Sequence, residues 1–412
     1  MLDTSDAPAV GNVIILLIVI ATAVALAARR LRVPYTVSLV IVGVGLGATH
    51  LLAVPHLTRP LVFAVFLPGL VFEAAYHLDF ALVRQDRAAV LALAIPGVAA
   101  VLSLTAALMV GTSRALHLIG GFGWQPALVL GAVLAATDPI AVVALFRSLG
   151  APRRLATLIE AESLLNDGTA IVFFGLILTA ITGHGASPIE LTLVFLRVVG
   201  LGVGIGFVIG LVACQVTRHI DDPMIEITLT VIAAYGSFAL ADQLGGSGVL
   251  ATVVAGLLCA NYGAAIGMSP ATRAAVMSFW EYVAFLLNSI VFLLIGFEVR
   301  LDAVRSAAVL VAVAFVAGLV ARTIVVSGVV AMLAPTREPI PRRWIGVLTW
   351  GGVRGALSMV LAVSLADDFP GRVLVITTTF GVVALSILVQ GLTLSPMLRR
   401  AGLLVQSPPG RG

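Results

Sequence analysis

The chain has 412 residues, 60% of them hydrophobic and only 11% charged, and its mean hydropathy is +1.14. A soluble domain carries about 25% charged residues, so a soluble enzyme or nucleic-acid-binding protein is excluded in favour of an integral membrane protein with almost no soluble mass. The net charge of +4 comes from arginine alone, with no lysine in the sequence; in a membrane protein such an excess reports orientation before it suggests an acidic partner.

Hydropathy predicts an all-α polytopic membrane protein with about thirteen transmembrane helices. In chain order they fall at 10–28, 35–53, 60–78, 88–110, 125–146, 155–181, 190–214, 223–243, 246–261, 279–298, 304–333, 343–365 and 373–396, leaving a short cytoplasmic tail over 401–412. The N-terminus begins with Asp3 and Asp6 and has no basic n-region, so no cleavable signal is expected. Cys214 and Cys259 lie in apolar runs and imply no disulfide framework.

The loops give the orientation. With the N-terminus outside, sixteen of the twenty-four arginines face the cytoplasm and five the opposite side; Arg197, Arg322 and Arg354 fall within spans. That asymmetry places the C-terminus in the cytoplasm.

Helix three contains Glu73 in L-P-G-L-V-F-E-A-A-Y, an acid flanked by apolar residues. Helix five carries T-D-P, Thr137–Asp138–Pro139, in mid-span, and helix six carries E-A-E-S-L-L-N-D-G at 160–168. Carboxylates in hydrocarbon are costly unless paired, protonated or coordinating an ion. Pro139 lacks an N–H and frees backbone near Ala135 and Ala136; such backbone is tolerated at membrane depth only where protein or a cavity covers it. Asp138 suits the positive start of a half-helix, and Arg354 the negative end of one.

Within helix six, Ser163 and Asp167 are four residues apart and share a face, with Glu160 one turn earlier near the cytoplasmic end, where it reads as a funnel residue. Glu162 and Asn166 form a neighbouring stripe. Hard monovalent cations require oxygen ligands of this kind. Glu162 needs a cationic partner, and Arg354, the one arginine in the middle of helix twelve, is the expected one.

Helix twelve is interrupted by T-W-G-G-V-R-G at 349–355, seven helices after T-D-P. An odd offset inverts topology, which is what inverted repeats with two broken, crossing helices require. The glycine runs at 43–47 and 200–206 lie inside apolar helices and read as close helix packing rather than nucleotide loops.

These motifs, with G-S-G-V-L-A-T-V-V-A-G-L at 246–257, N-S-I-V-F-L-L-I-G-F-E at 288–298 and G-G-V-R-G-A-L-S at 351–358, resemble the NhaP/NHE-type sodium/proton antiporters, the first cation:proton antiporter family, over nearly the whole chain. The resemblance implies an NhaA-like antiporter fold, with a core domain over about 88–181 and 304–396. A dimerisation domain is implied over about 10–78 and 190–298, in a homodimer within the lipid of the plasma (inner) membrane. It implies Asp167 as the ion- and proton-binding residue, Asn166 as its partner, and Na+ ligated at Asp167, Ser163, Glu73 and Thr137. Thr137 and Asp138 match the crossing in the first broken helix, and Glu162–Arg354 a structural ion pair.

The expected function is secondary active exchange of Na+, with Li+ or K+ as further candidates, for H+ by alternating access, serving pH homeostasis without enzyme chemistry, cofactor or nucleic acid. Related electrogenic antiporters carry two adjacent aspartates and a membrane lysine; Asn166 and the absence of lysine point to electroneutral 1:1 exchange. K+/H+ or electrogenic exchange is the near alternative, and a sodium-coupled solute symporter the more distant one. An intramembrane aspartyl protease would need Y-D and G-x-G-D motifs, which the sequence lacks.

Overall fold

The computed structural model describes residues 7–31, 33–49, 58–117, 123–182, 187–336 and 338–403. Among them all regular structure is helical. Joining contiguous turns, counting each interrupted helix once and setting aside the six-residue helices Phe80–Gln85 and Leu301–Ser306, gives thirteen among the described residues. They are α1 (Ala7–Leu31), α2 (Tyr35–Thr49), α3 (Arg59–His77), α4 (Arg87–Ala115), α5a (Trp124–Ala135) with α5b (Ile140–Leu149), α6 (Arg153–Thr182), α7 (Pro188–Thr217), α8 (Pro223–Gln243), α9 (Gly248–Gly263), α10 (Pro270–Glu298), α11 (Ala308–Leu333), α12a (Ile345–Trp350) with α12b (Ala356–Val363), and α13 (Arg372–Arg400). Eight of these are long and apolar enough to cross a membrane by themselves. Residues 50–53 of the second predicted span, and the predicted tail from 404 onward, lie outside the described residues.

Local sequence sets the helix starts. Ser187–Pro188, Asp222–Pro223 and Ser269–Pro270 each place a capping oxygen before a proline, whose missing N–H costs nothing in a first turn. Ser187 and Glu190 form a reciprocal capping box. The Ser269 cap starts α10 at Pro270 rather than the expected 279, because Thr272 and Arg273 belong to a capped helix and not to a loop. Gly402, at φ +62°, follows the end of α13 in the left-handed conformation that glycine adopts without strain.

Prolines inside spans need a second remedy. Pro68 and Pro96 each lie at or next to a π-turn, over Val62–Phe66 and Leu93–Gly97. In each turn a carbonyl is taken by a hydroxyl from another helix: Tyr235 donates to Val65 O at 3.0 Å, and Thr169 to Ala94 O at 2.6 Å. In a bilayer, where no water reaches the backbone, this is how a broken hydrogen-bond ladder is kept.

Two sets of helices pack among themselves. α4, α5, α6, α11, α12 and α13 surround the two interruptions, and α1, α2, α3, α7, α8, α9 and α10 form a second layer. Small residues set the close approaches of the second layer. Gly202 lies so near α9 that a Cβ there would come within 2.6 Å of Ser247 O, and Gly206 and Gly210 continue the same stripe against Ala251 and Ala255.

Candidate functional site

The two interrupted helices meet at their unwound segments. Residues 136–139 part α5a from α5b, and 351–355 part α12a from α12b. The Asp138 amide donates to Val353 O at 2.7 Å, a backbone bond that joins the two breaks directly. Asp138 Oδ1 accepts from Ile140 N at 3.0 Å, capping the start of α5b. Arg354 Nη1 donates to Ala135 O and Ala136 O, both at 3.3 Å, at the end of α5a. A carboxylate therefore lies at the positive end of one half-helix and a guanidinium at the negative end of the other, where the dipoles favour them. At the second break, Gln390 Nε2 donates to Trp350 O at 2.9 Å, while Ser386 accepts from the Arg354 amide at 3.0 Å and donates to Gln390.

Helix α6 runs beside this crossing. Asn166 Nδ2 donates to Ala135 O at 2.9 Å and to Thr137 Oγ1 at 3.1 Å. Ser163 lies 3.0 Å from the Thr137 hydroxyl and donates to the Thr137 carbonyl. These bonds occupy the freed backbone of the first break and hold it against α6. Asp167, one position past Asn166, is used differently. Its Oδ1 is shut off from solvent and has no hydrogen-bond partner.

Asp167 opens onto a cavity of about 80 Å³. Thr137 and Asp138 of the first break line it, as do Gly355 and Ser358 from the second and Asn288 from α10. The rest of its wall is apolar, chiefly Val62, Phe66, Leu67, Leu70 and Val71 of α3. A space of this size holds a few waters or a partly hydrated monovalent ion, and the Asp167 carboxylate, with Asp138 capping α5b beside it and several neutral oxygens around it, is a donor set for a hard cation.

The geometry differs from the expected one at several residues. Glu162 is paired with Arg322 and not with Arg354. Arg322 Nη1 and Nη2 reach the two carboxylate oxygens at 3.1 and 2.9 Å, and Nε donates to Leu348 O at 3.1 Å. Arg322 projects from α11 across to both α6 and α12a, whereas the Arg354 guanidinium is spent on α5a. The lone arginine in the middle of 304–333 was the available sequence signal. Glu73 does not line the cavity. Its carboxylate lies 3.2 Å from His77 Nδ1, one turn along α3, and His77 Nε2 lies 3.5 Å from Glu281 of α10. Glu160 is buried rather than open to a cytoplasmic funnel. Ser163 and Asn166 support the crossing but are not part of the cavity wall. Ser358 and Asn288, absent from the expected ligand set, are part of it.

The chain is similar in sequence and in fold to known proteins. The profile of the transmembrane sodium/hydrogen exchanger family matches residues 14–400. The chain is 40% identical over 376 residues to the Na+/H+ antiporter ApNhaP of Aphanothece halophytica, spanning 90% of this chain and 70% of that one. It is 35% identical over 408 residues to the Na+/H+ antiporter NhaH of Halobacillus dabanensis, spanning 95% and 98%. In fold it matches the sodium proton antiporter MjNhaP1 of Methanocaldococcus jannaschii with a TM-score of 0.77 at 18% identity, over 98% of this chain and all of that one. With two antiparallel broken helices crossing beside a buried aspartate, and the family profile matched over 14–400, the chain is a member of the sodium/hydrogen exchanger family.

Proposed function

We propose that the protein exchanges a monovalent cation, Na+ first among them, for H+ across the plasma (inner) membrane, one for one and without net charge movement. The observation that carries this reading is Asp167, which lines a small cavity at the crossing of two broken helices and whose buried Oδ1 has no partner. An anionic oxygen in that position is stable when it holds a proton or a cation. One carboxylate holds one or the other, so the two ions compete and their fluxes are coupled. Relatives at 40% and 35% identity are named Na+/H+ antiporters, which supports Na+ as the cargo.

Electroneutrality follows from the neighbour of Asp167. Asn166 is a neutral amide tied to the first break, so the pair carries a single charge through the cycle. The helix set of α4–α6 and α11–α13 would be the moving core. The set of α1–α3 and α7–α10 would be the stationary layer through which two copies dimerise. The arginine distribution supports an outside N-terminus and a cytoplasmic C-terminus.

The test is cation-induced dissipation of a proton gradient in everted vesicles or proteoliposomes, with Na+, Li+ and K+, for wild type and Asp167→Asn. Dissipation by one or more cations, abolished in the variant, is the expected result. Wild-type protein that is folded yet silent to all three between about pH 6 and 9, a range that takes in histidine and carboxylates raised by burial, would overturn the reading. Currents on a planar membrane that scale with transport would overturn the one-for-one stoichiometry alone.

A further inference from the structure

The cavity at Asp167 is lined by oxygens that the helix crossing does not use. Ser358 lies in the first turn of α12b and is fully buried, at 0% exposure, with no partner for its hydroxyl. Asn288 lies in the middle of α10, and its Oδ1 is also buried and unpartnered. Both residues line the same cavity as Asp167, Asp138 and Thr137. Each orphaned oxygen in an apolar wall carries a desolvation cost. Three residues that carry such an oxygen line this one small space, while the neighbouring hydroxyls of Thr137, Ser163 and Ser386 are bonded.

From this arrangement we infer that Ser358 Oγ and Asn288 Oδ1 are ligands of the transported cation, adding neutral oxygens to the carboxylate of Asp167. The inference rests on the exchange reading above. Neither residue bears a charge, so neither changes the exchange of one cation for one proton. What they add is selectivity. Neutral oxygens replace the hydration shell of a small alkali ion, and their number and spacing decide which ion is repaid for dehydration. A proton on Asp167 needs neither.

The two ligands also come from different helix sets. Ser358 belongs to α12b, packed with the core around the crossing, and Asn288 to α10, packed on α2 and α3. If the core shifts past the second layer, Ser358 travels with Asp167 and Asn288 stays behind. Asn288 then ligates the ion only when the site lies against α10. Its removal should weaken cation binding on one side of the membrane more than on the other.

The experiment measures the apparent Km for Na+, Li+ and K+ in proteoliposomes of fixed orientation, from each side, for wild type, Asn288→Ala, Asn288→Ser, Ser358→Ala and Ser358→Thr. The inference expects the two alanine variants to raise the Km for the preferred cation by roughly tenfold, the scale of one lost polar contact. They should also alter the order of the three cations, with the maximal rate at saturating cation largely retained. Ser358→Thr, which keeps the hydroxyl, should recover affinity, and Asn288→Ala should act unequally from the two sides. Folded alanine variants with wild-type Km and cation order would overturn it. So would equal loss for all three cations, since that is what a purely structural role produces. Loss of folding in an alanine variant passes the decision to Asn288→Ser and Ser358→Thr, for which wild-type Km in the first or no recovery of Km in the second counts against it. Wild type without exchange would sink the parent reading instead, so the two failures are distinguishable.

Discussion

Arg322 grips both carboxylate oxygens of Glu162 from the middle of α11, at 2.9 and 3.1 Å, with both side chains almost wholly buried. The same guanidinium bonds Leu348 O at 3.1 Å, so one side chain ties α6, α11 and α12a together. Arg354, by contrast, has no carboxylate within ion-pair distance among the described residues and bonds only carbonyls through its side chain. Two buried arginines thus hold the crossing by different means.

This difference predicts an order of stabilities. Arg322→Ala leaves Glu162 as an unpaired buried charge, a loss of about 3–5 kcal/mol. Arg354→Ala leaves unsatisfied carbonyls but no unpaired acid, and should cost about 1.5–3 kcal/mol, the scale of hydrogen bonds to a charged group. Thermal unfolding in detergent should rank wild type, Arg354→Ala and Arg322→Ala in that order. Combining Arg322→Met with Glu162→Gln should recover part of the loss. Reversal of the single-variant order would show that Glu162 depends on Arg354 after all.

Both breaks, their opposite orientation and the acid at the first were legible in the sequence. Pro139 cannot continue a helix, glycines mark 351–355, and an odd number of helices separates them. Arg354 and Asp138 could be assigned to half-helix ends on electrostatics alone. The partner of Glu162 was not legible, because Arg197, Arg322 and Arg354 all fall within spans and only the packing of the helices decides between them. Glu73 and His77 stand four apart on α3, a spacing that does announce their pairing. Ser358 and Asn288 gave no periodic signal. A small polar residue in an apolar helix reads the same whether it packs, bonds its own backbone or faces a cavity.

Thr169 provides a measure of the backbone repair at Pro96. Its hydroxyl donates to Ala94 O across the α4–α6 contact at 2.6 Å. Thr169→Val keeps the shape and removes the donor. The expected cost is about 1 kcal/mol, because side-chain hydrogen bonds within membrane proteins are modest. Hydrogen exchange at the turn Leu93–Gly97 should quicken while distant helices keep their protection. Unchanged exchange there would mean that the π-turn satisfies its own carbonyls.

Glycine at 355 predicts a functional loss without a global one. A Cβ at this position would come within 2.5 Å of Asp138 Cβ and 2.9 Å of its Cγ. Those atoms belong to the first break, which is fixed by the Asp138–Val353 and Asp138–Ile140 bonds and has no room to yield. Gly355→Ala must therefore part the two unwound segments by several tenths of an ångström and deform the cavity they share with Asp167. Overpacking of this kind costs about 1–3 kcal/mol, while a cation site, whose selectivity depends on ligand spacing, suffers more than the fold does. Gly45 is the control, since a Cβ there meets nothing within 4 Å. Gly45→Ala should leave both stability and exchange unchanged, or stabilise α2 by up to about 1 kcal/mol through the better helix propensity of alanine. Gly355→Ala should fold, dimerise and melt within a few degrees of wild type, with its cation-driven proton flux reduced tenfold or more. Equal transport by the two variants would show that the contact between Gly355 and Asp138 has no part in setting the site.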